Sequence, residues 1–170
     1  MAAAPPANAS NAELARWSFE MLNTHDVSVL RQFWTDETVE RFPDRTRRGP
    51  DEMAAYFREV LDALPDFHME VIHVTEQDDH VFVQWKLTGT HSGATYQGIE
   101  PTGRRIELDG IDHFVIRDGK VASNFVVFDQ MQFARQLGLL PPDGSQADRA
   151  VKGAFNLKNK VGELVRQARS

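Results

Sequence analysis

The feature that most constrains the fold of this chain is a change of hydrophobic period at Pro65. Before Pro65, apolar side chains recur at helical spacing, as Met53, Tyr56, Phe57 and Val60 do. After it, apolar and polar residues alternate along several short stretches, which is the pattern of strands. Helices followed by a run of antiparallel strands predict an α+β fold, with the helices packed against one face of a curved sheet.

Three helices are predicted before the change of period. Ser10 and Glu13 fit a capping box that starts the first helix, which ends near Asn23. A short second helix is predicted over residues 27–34, and a third starts at Gly49, where Pro50 suits the first turn. The charged and aromatic stretch VERFPDRTRRG between them is interpreted as a connection.

Four strands are predicted after Pro65, over residues 67–75, 81–91, 104–116 and 120–129. A short helix over 130–137 ends at a glycine, and the linker PPDGSQ leads to a last amphipathic helix over 147–168. We therefore expect a disordered arm over 1–10, one main domain over 11–140, and a linker with an extra helix over 141–170.

Composition excludes several classes of protein. A chain of 170 residues with a net charge of -6 suits one globular domain. The absence of cysteine excludes disulfides, thiolate metal sites and a cysteine nucleophile, and it favours an intracellular compartment. No stretch fits a signal peptide or a transmembrane helix, and no spacing of ligands indicates a metal site. We expect a soluble, cytoplasmic protein.

The last helix carries six basic side chains against two acidic ones, on a chain that is acidic as a whole. This basic surface could lie on anionic lipid or on an acidic partner. We favour instead a helix that packs its apolar side chains onto its own chain or a partner subunit; these are Val151, Phe155, Val161, Leu164 and Val165. Without interleaved aromatics, the basic residues do not indicate nucleic-acid binding.

Four short motifs occur in a fixed order between residues 89 and 138: Gly-Thr-His, Pro-Thr-Gly-Arg, Asp-Gly-Lys and Gln-Leu-Gly. With this order and spacing, the chain resembles the SnoaL-like polyketide cyclase and ester cyclase group over roughly residues 12–140. That group belongs to the superfamily of nuclear transport factor two and ketosteroid isomerase. The resemblance implies a cone-shaped curved sheet around three helices, a deep apolar pocket for a small hydrophobic ligand, and a homodimer.

Asp112 is the candidate catalytic residue. Alternation places it on the same strand face as Phe114 and Ile116, where burial would raise the pKa of its carboxyl toward neutrality. The stretch from Ile111 to Phe114 also resembles the part of the ketosteroid isomerases that carries their oxyanion-hole aspartic acid. We therefore predict Asp112 as a proton donor, with Asn124 as its polar neighbour across the hairpin.

The predicted ligand-binding residues are mostly aromatic and would line the pocket of such a cone; they are Trp17, Arg41, Phe57, Trp85, His91, Phe114, Asn124, Val126 and Phe128. For Arg41 two interpretations stay open. It either belongs to a cluster of surface arginines or forms an ion pair in the pocket, with Asp112 or with an acidic substrate. A pair with Asp112 would lower the pKa of that carboxyl.

The resemblance leaves two functions open. In the SnoaL-type cyclases the position that matches Val126 holds the general acid/base aspartate, and a valine cannot move a proton. The first hypothesis is an enzyme that acts without a cofactor on a polyketide, steroid or terpenoid carbonyl compound, by isomerisation or aldol cyclisation. The alternative is a non-catalytic module that binds a small ligand or a protein and has lost the catalytic aspartate.

Overall fold

The computed structural model describes residues 5–167. The first residues of the predicted arm, 1–4, and the predicted end of the last helix, 168–170, lie outside the described residues. The helices are α1 (Asn11–Leu22), α2 (Val27–Leu30), α3 (Gly49–Ala63), α4 (Gln130–Leu137) and α5 (Gln146–Gln167). The strands are β1 (Trp34–Arg41), β2 (Thr46–Arg48), β3 (His68–Gln77), β4 (His80–Thr90), β5 (Arg105–Arg117) and β6 (Lys120–Phe128).

The six strands form one curved, open sheet in the order β2-β1-β6-β5-β4-β3. All neighbouring strands pair antiparallel except β1 and β6, which run parallel. Helices α1 and α3 pack on the inner face of the sheet, against β3 and β4 and against β1 and β2 respectively. This arrangement confirms the predicted α+β cone.

The longest strands follow the predicted alternation, because one face packs on the helices and the other meets solvent. On β5, Ile106, Leu108, Phe114 and Ile116 are buried, whereas Ile111 on the outer face is 48% exposed. All four strands predicted after Pro65 lie within two residues of their observed bounds.

The connection predicted between the second and third helices is wrong. Most of the stretch VERFPDRTRRG forms strands β1 and β2. The predicted second helix over 27–34 is also too long, since α2 ends at Leu30, a 3-10 turn covers Arg31–Phe33, and Trp34 starts β1. Extended backbone is required there because Trp34 pairs with Val121 of β6.

Strand β1 contains an irregularity between Trp34 and Val39. The buried hydroxyl of Thr38 holds this segment, since it donates to the carbonyl of Val121 at 2.6 Å and accepts from the amide of Thr35 at 2.9 Å. Trp34 and Glu40, on either side of this segment, are both buried.

Candidate active site

A cavity that opens to solvent, with about 700 Å³ of empty space when its open mouth is included, lies between the helices and the inner face of the sheet. Its walls are mostly aromatic and aliphatic, and they include five of the predicted ligand-binding residues: Phe57, Trp85, Phe114, Val126 and Phe128. The polar groups among its lining residues are the side chains of Ser18, Glu40, Tyr56 and Asp112. The two carboxyl groups are therefore the strongest acids and bases available to a ligand in this cavity.

Asp112 lies in the wall of the cavity and is 8% exposed. Its Oδ1 accepts a hydrogen bond from Nε1 of Trp85 at 2.8 Å, and its Oδ2 accepts one from Nδ2 of Asn124 at 2.9 Å. Burial raises the pKa of the Asp112 carboxyl to about 6, although both hydrogen bonds lower it. The carboxyl is poised to gain or lose a proton near neutral pH.

The indole of Trp85 is held against Asp112 by the backbone of Gly110. These two residues pair across β4 and β5, and a Cβ atom built on Gly110 would lie 2.2 Å from the Trp85 ring. Only glycine leaves room for the ring at this position. The glycine two residues before Asp112 thus places one of the two hydrogen-bond donors of its carboxyl.

Glu40 is a second buried carboxyl in the cavity wall, and it is not among the site residues predicted from the sequence. It is 3% exposed, and its Oε1 accepts from Nε1 of Trp34 at 2.9 Å. Its Oε2 accepts from Nδ2 of Asn124 at 3.0 Å. Burial raises the pKa of Glu40 to about 8; the hydrogen bond from Asn124 lowers it, and the charge of Asp112 raises it further.

One amide group therefore joins the two carboxyl groups. Nδ2 of Asn124 donates to both Asp112 and Glu40, so it lies within 3.0 Å of an oxygen of each. Among the described residues neither carboxyl forms an ion pair with a lysine, arginine or histidine. Two unpaired negative charges in an apolar cavity are costly, which favours a single shared proton.

Three predicted ligand-binding residues lie elsewhere. Trp17 is buried in the core with its ring edge against Phe33. Arg41 lies on the outer face of the sheet, with its guanidinium 4.9 Å from the centre of the Phe125 ring. It pairs with neither cavity carboxyl, because side chains alternate along β1 and Glu40 takes the inner face. His91 lies in a neighbouring cavity.

One pattern in the sequence around Glu40 indicates a strand. Thr38, Glu40 and Phe42 alternate with more polar positions, as in a strand whose inner face carries a carboxyl. The dense charge around them favoured a loop instead.

The fold is that of the nuclear transport factor two-like cones. Residues 12–137 match the model of the SnoaL-like polyketide cyclase family, and the chain belongs to that family. No curated protein matches the chain.

Solved structures with the same fold come from several bacteria. AclR from Streptomyces galilaeus, described as a candidate hydroxylase, is 25% identical, with a TM-score of 0.67 over 91% of this chain and 97% of AclR. TsrD from Streptomyces laurentii is 24% identical, with a TM-score of 0.69 over 78% of this chain and all of TsrD. A SnoaL-like cyclase candidate from Jannaschia is 21% identical, with a TM-score of 0.69 over 80% of this chain and all of that protein.

Within the described residues, no helix is both long and apolar enough to cross a membrane.

Proposed function

We propose that the protein catalyses cofactor-free proton transfer on a small apolar carbonyl compound of the polyketide, steroid or terpenoid type, leading to isomerisation or aldol closure. The observation that carries this proposal is the pair of buried carboxyl groups, Asp112 and Glu40, hydrogen-bonded to one amide in the wall of an apolar cavity. Two titratable groups whose surroundings separate their pKa values are suited to act as acid and base in one reaction.

The pKa values assign the two roles. With a pKa of about 6, Asp112 is mostly ionised at pH 7 and serves as the base. With a pKa of about 8, Glu40 is mostly protonated at pH 7 and serves as the acid. From the sequence, Asp112 is predicted as the proton donor; the higher pKa of Glu40 supports Glu40 in that role instead.

The proposed reaction balances without any other reactant. Asp112 removes a proton from the carbon next to the ligand's carbonyl while Glu40 gives its proton to the carbonyl oxygen, and an enol forms. In isomerisation, Asp112 returns the proton to another carbon and Glu40 recovers its own from the enol oxygen. In aldol closure, the enol carbon instead attacks a second carbonyl of the same ligand. The proton held by Asp112 passes to the oxygen of that second carbonyl, which becomes a hydroxyl, and Glu40 recovers its own proton from the enol oxygen as the first carbonyl forms again.

Exchange of α-protons tests the proposal without knowledge of the natural ligand. The probe is 2-tetralone, a bicyclic ketone, in deuterated buffer at neutral pH, with deuterium uptake followed by NMR. We expect the wild type to accelerate exchange and Asp112→Asn to lose roughly a hundredfold or more of that acceleration. Asp109→Asn is the matched control, because Asp109 is an exposed carboxyl on the same strand and should leave the rate unchanged.

The alternative function makes the opposite prediction. If a panel of apolar ketones binds but none exchanges or reacts, the protein is a ligand-binding module. Native exchange in Asp112→Asn would rule out Asp112 as the base. Because AclR is described as a candidate hydroxylase, the same incubations should also record dioxygen consumption.

We further propose a cytoplasmic homodimer. Four apolar side chains on the outer face of the sheet support the dimer, since Phe82, Ile111, Phe125 and Val127 are each nearly half exposed. Ile111→Asp should shift the mass measured by sedimentation from dimer to monomer. A wild type that is monomeric at every concentration contradicts the proposal.

A further inference from the structure

A second cavity, with about 530 Å³ of empty space when its opening to solvent is included, adjoins the cavity that holds the two carboxyl groups. The two cavities share five lining residues: Tyr56, Val60, Trp85, Leu87 and Phe128. Phe133 and Leu137 of α4 and the side chain of Tyr96 form other parts of the second cavity wall. Helix α4 is fixed over β5 by Gln136, whose side chain exchanges two hydrogen bonds with the backbone of Glu107.

His91 is the polar feature of this second cavity. It is 1% exposed, and its backbone is held on both sides, since its amide donates to the carbonyl of Arg104 at 2.9 Å and its carbonyl accepts from the amide of Gly103 at 2.8 Å. The ring therefore has a fixed position in the cavity wall.

Hydrogen bonds to Nδ1 determine which ring nitrogen of His91 carries the proton. The backbone amide of Thr102 donates to Nδ1 at 3.4 Å, and the hydroxyl of Thr102 lies 3.3 Å from the same nitrogen. A nitrogen that accepts an amide N–H carries no proton of its own, so the neutral ring holds its proton on Nε2.

Nε2 of His91 is buried and has no hydrogen-bond partner among the described residues. A buried N–H without an acceptor costs folding free energy, and each such group in a folded protein calls for an explanation. A ligand oxygen in the second cavity would supply the missing acceptor.

We propose that the Nε2–H of His91 donates a hydrogen bond to a neutral oxygen, such as a carbonyl, of a ligand whose apolar body extends across both cavities. The oxygen is neutral because the described residues that line the second cavity are mostly apolar or aromatic and include no lysine or arginine. This inference rests on the proposed function for the ligand class and deepens it, since the ligand then carries one oxygen near the carboxyl pair and another near His91.

The experiment compares 9-fluorenone with fluorene, two tricyclic compounds that differ in a single carbonyl. Binding is measured by titration, and the ring nitrogens of 15N-histidine-labelled protein are observed by NMR. In the free protein we expect the neutral tautomer of His91 to carry its proton on Nε2. Fluorenone should bind about tenfold more tightly than fluorene and should shift the Nε2–H resonance, whereas fluorene should not.

Two variants of His91 form a matched pair. His91→Asn places an amide near the position of Nδ1 and keeps the contact with Thr102, but it removes the Nε2–H donor. It should bind the two compounds equally. His91→Gln places its amide near the position of Nε2 and should retain a preference for fluorenone.

Three results would overturn this inference: an Nε2–H resonance unmoved by saturating fluorenone, a preference for fluorenone that survives in His91→Asn, or no binding of fluorenone up to its solubility limit. None of these measurements depends on turnover. A protein that binds fluorenone through His91 but exchanges no α-protons keeps this inference and loses the proposed reaction.

Discussion

Asp112 on β5 and Glu40 on β1 are two buried carboxyl groups with matching hydrogen bonds and different acidities. Each accepts one bond from an indole N–H and one from the amide of Asn124. Burial is the largest influence on the pKa of both, and it raises the pKa of Asp112 to about 6 and that of Glu40 to about 8. Equal hydrogen bonding therefore does not produce equal acidity, and an asymmetric environment separates an acid from a base.

The largest expected effect comes from removing both members of the pair. Asp112→Asn and Glu40→Gln should each reduce α-proton exchange by roughly a hundredfold or more, because each step needs one base and one acid. The double variant should lose about as much as either single variant, since groups that act as a unit are not additive. Losses that multiply in the double variant would show that the two carboxyl groups act independently.

A second substitution affects the surroundings of Asp112 but not those of Glu40. In Gly110→Ala the new methyl group would overlap the Trp85 ring, so the indole must move and its hydrogen bond to Asp112 must weaken. We expect a loss of about 2 kcal/mol in the free energy of unfolding, as for an overpacked core. Because that hydrogen bond lowers the pKa of Asp112, the pKa should rise further, which carboxyl infrared or 13C NMR titration would detect.

Gly153→Ala is the control for this variant. Gly153 lies in α5 with open space around it, and alanine is the better helix former there. Its stability should be unchanged or slightly higher. Equal stability of Gly110→Ala and the wild type would mean that the contact between Gly110 and Trp85 does not position the indole.

The pH dependence of stability tests the raised pKa of Glu40. The folded protein keeps the Glu40 proton up to a pH of about 8, whereas the unfolded chain loses it near the ordinary value of 4.5. Between pH 6 and 8 the native state therefore binds more protons, and stability falls as pH rises, by up to about 1.4 kcal/mol per pH unit. Denaturant unfolding measures this slope.

Glu40→Gln should flatten that dependence, while Asp109→Asn should retain it. The comparison between variants cancels the contribution of histidines that titrate in the same range. If the wild type and Glu40→Gln have the same slope, Glu40 ionises normally and the assignment of acid and base is lost.

The two carboxyl groups also differ in how far the sequence could predict them. Asp112 lies on β5, along which buried and more exposed residues alternate without interruption, so its inward face followed from local pattern. Its neighbour Asn124 lies on the next strand of the same hairpin. Strand β1 pairs parallel with β6, more than eighty residues away, and its irregularity interrupts the alternation between Trp34 and Val39. Local pattern carries no information about such pairing.

The interpretation of Arg41 depended on strand β1, which was not predicted from the sequence. As part of a presumed loop it could face Asp112, but in a strand it must point away from its neighbour Glu40. The alternation along β4, which ends one residue before His91, also could not show that His91 occupies a separate cavity, because that cavity forms only where α4 packs against the sheet. Long-range packing decides these positions.

The smallest effect is expected from removing α5, which lies apart from both carboxyl groups. The described residues of α5 are exposed, including Val151, Phe155 and Val161, except for Asp148 and Gly162. The side chains of Leu164 and Val165 lie outside the described residues. Asp148 accepts from the amide of Gly144 and pairs with Lys152, so its contacts are local.

Truncation after Leu140 should therefore cost less than about 1 kcal/mol, the range of exposed ion pairs, and should leave the α-proton exchange rate unchanged. Truncation after Asp129 is the contrasting variant. It also removes α4, with the buried Leu137 and the bonds of Gln136 to Glu107, and should destabilise the cone strongly. Thermal unfolding of both shortened chains measures the difference. A chain ending at Leu140 that aggregates, or melts without a cooperative transition, would mean that α5 covers apolar surface of this chain or a partner subunit.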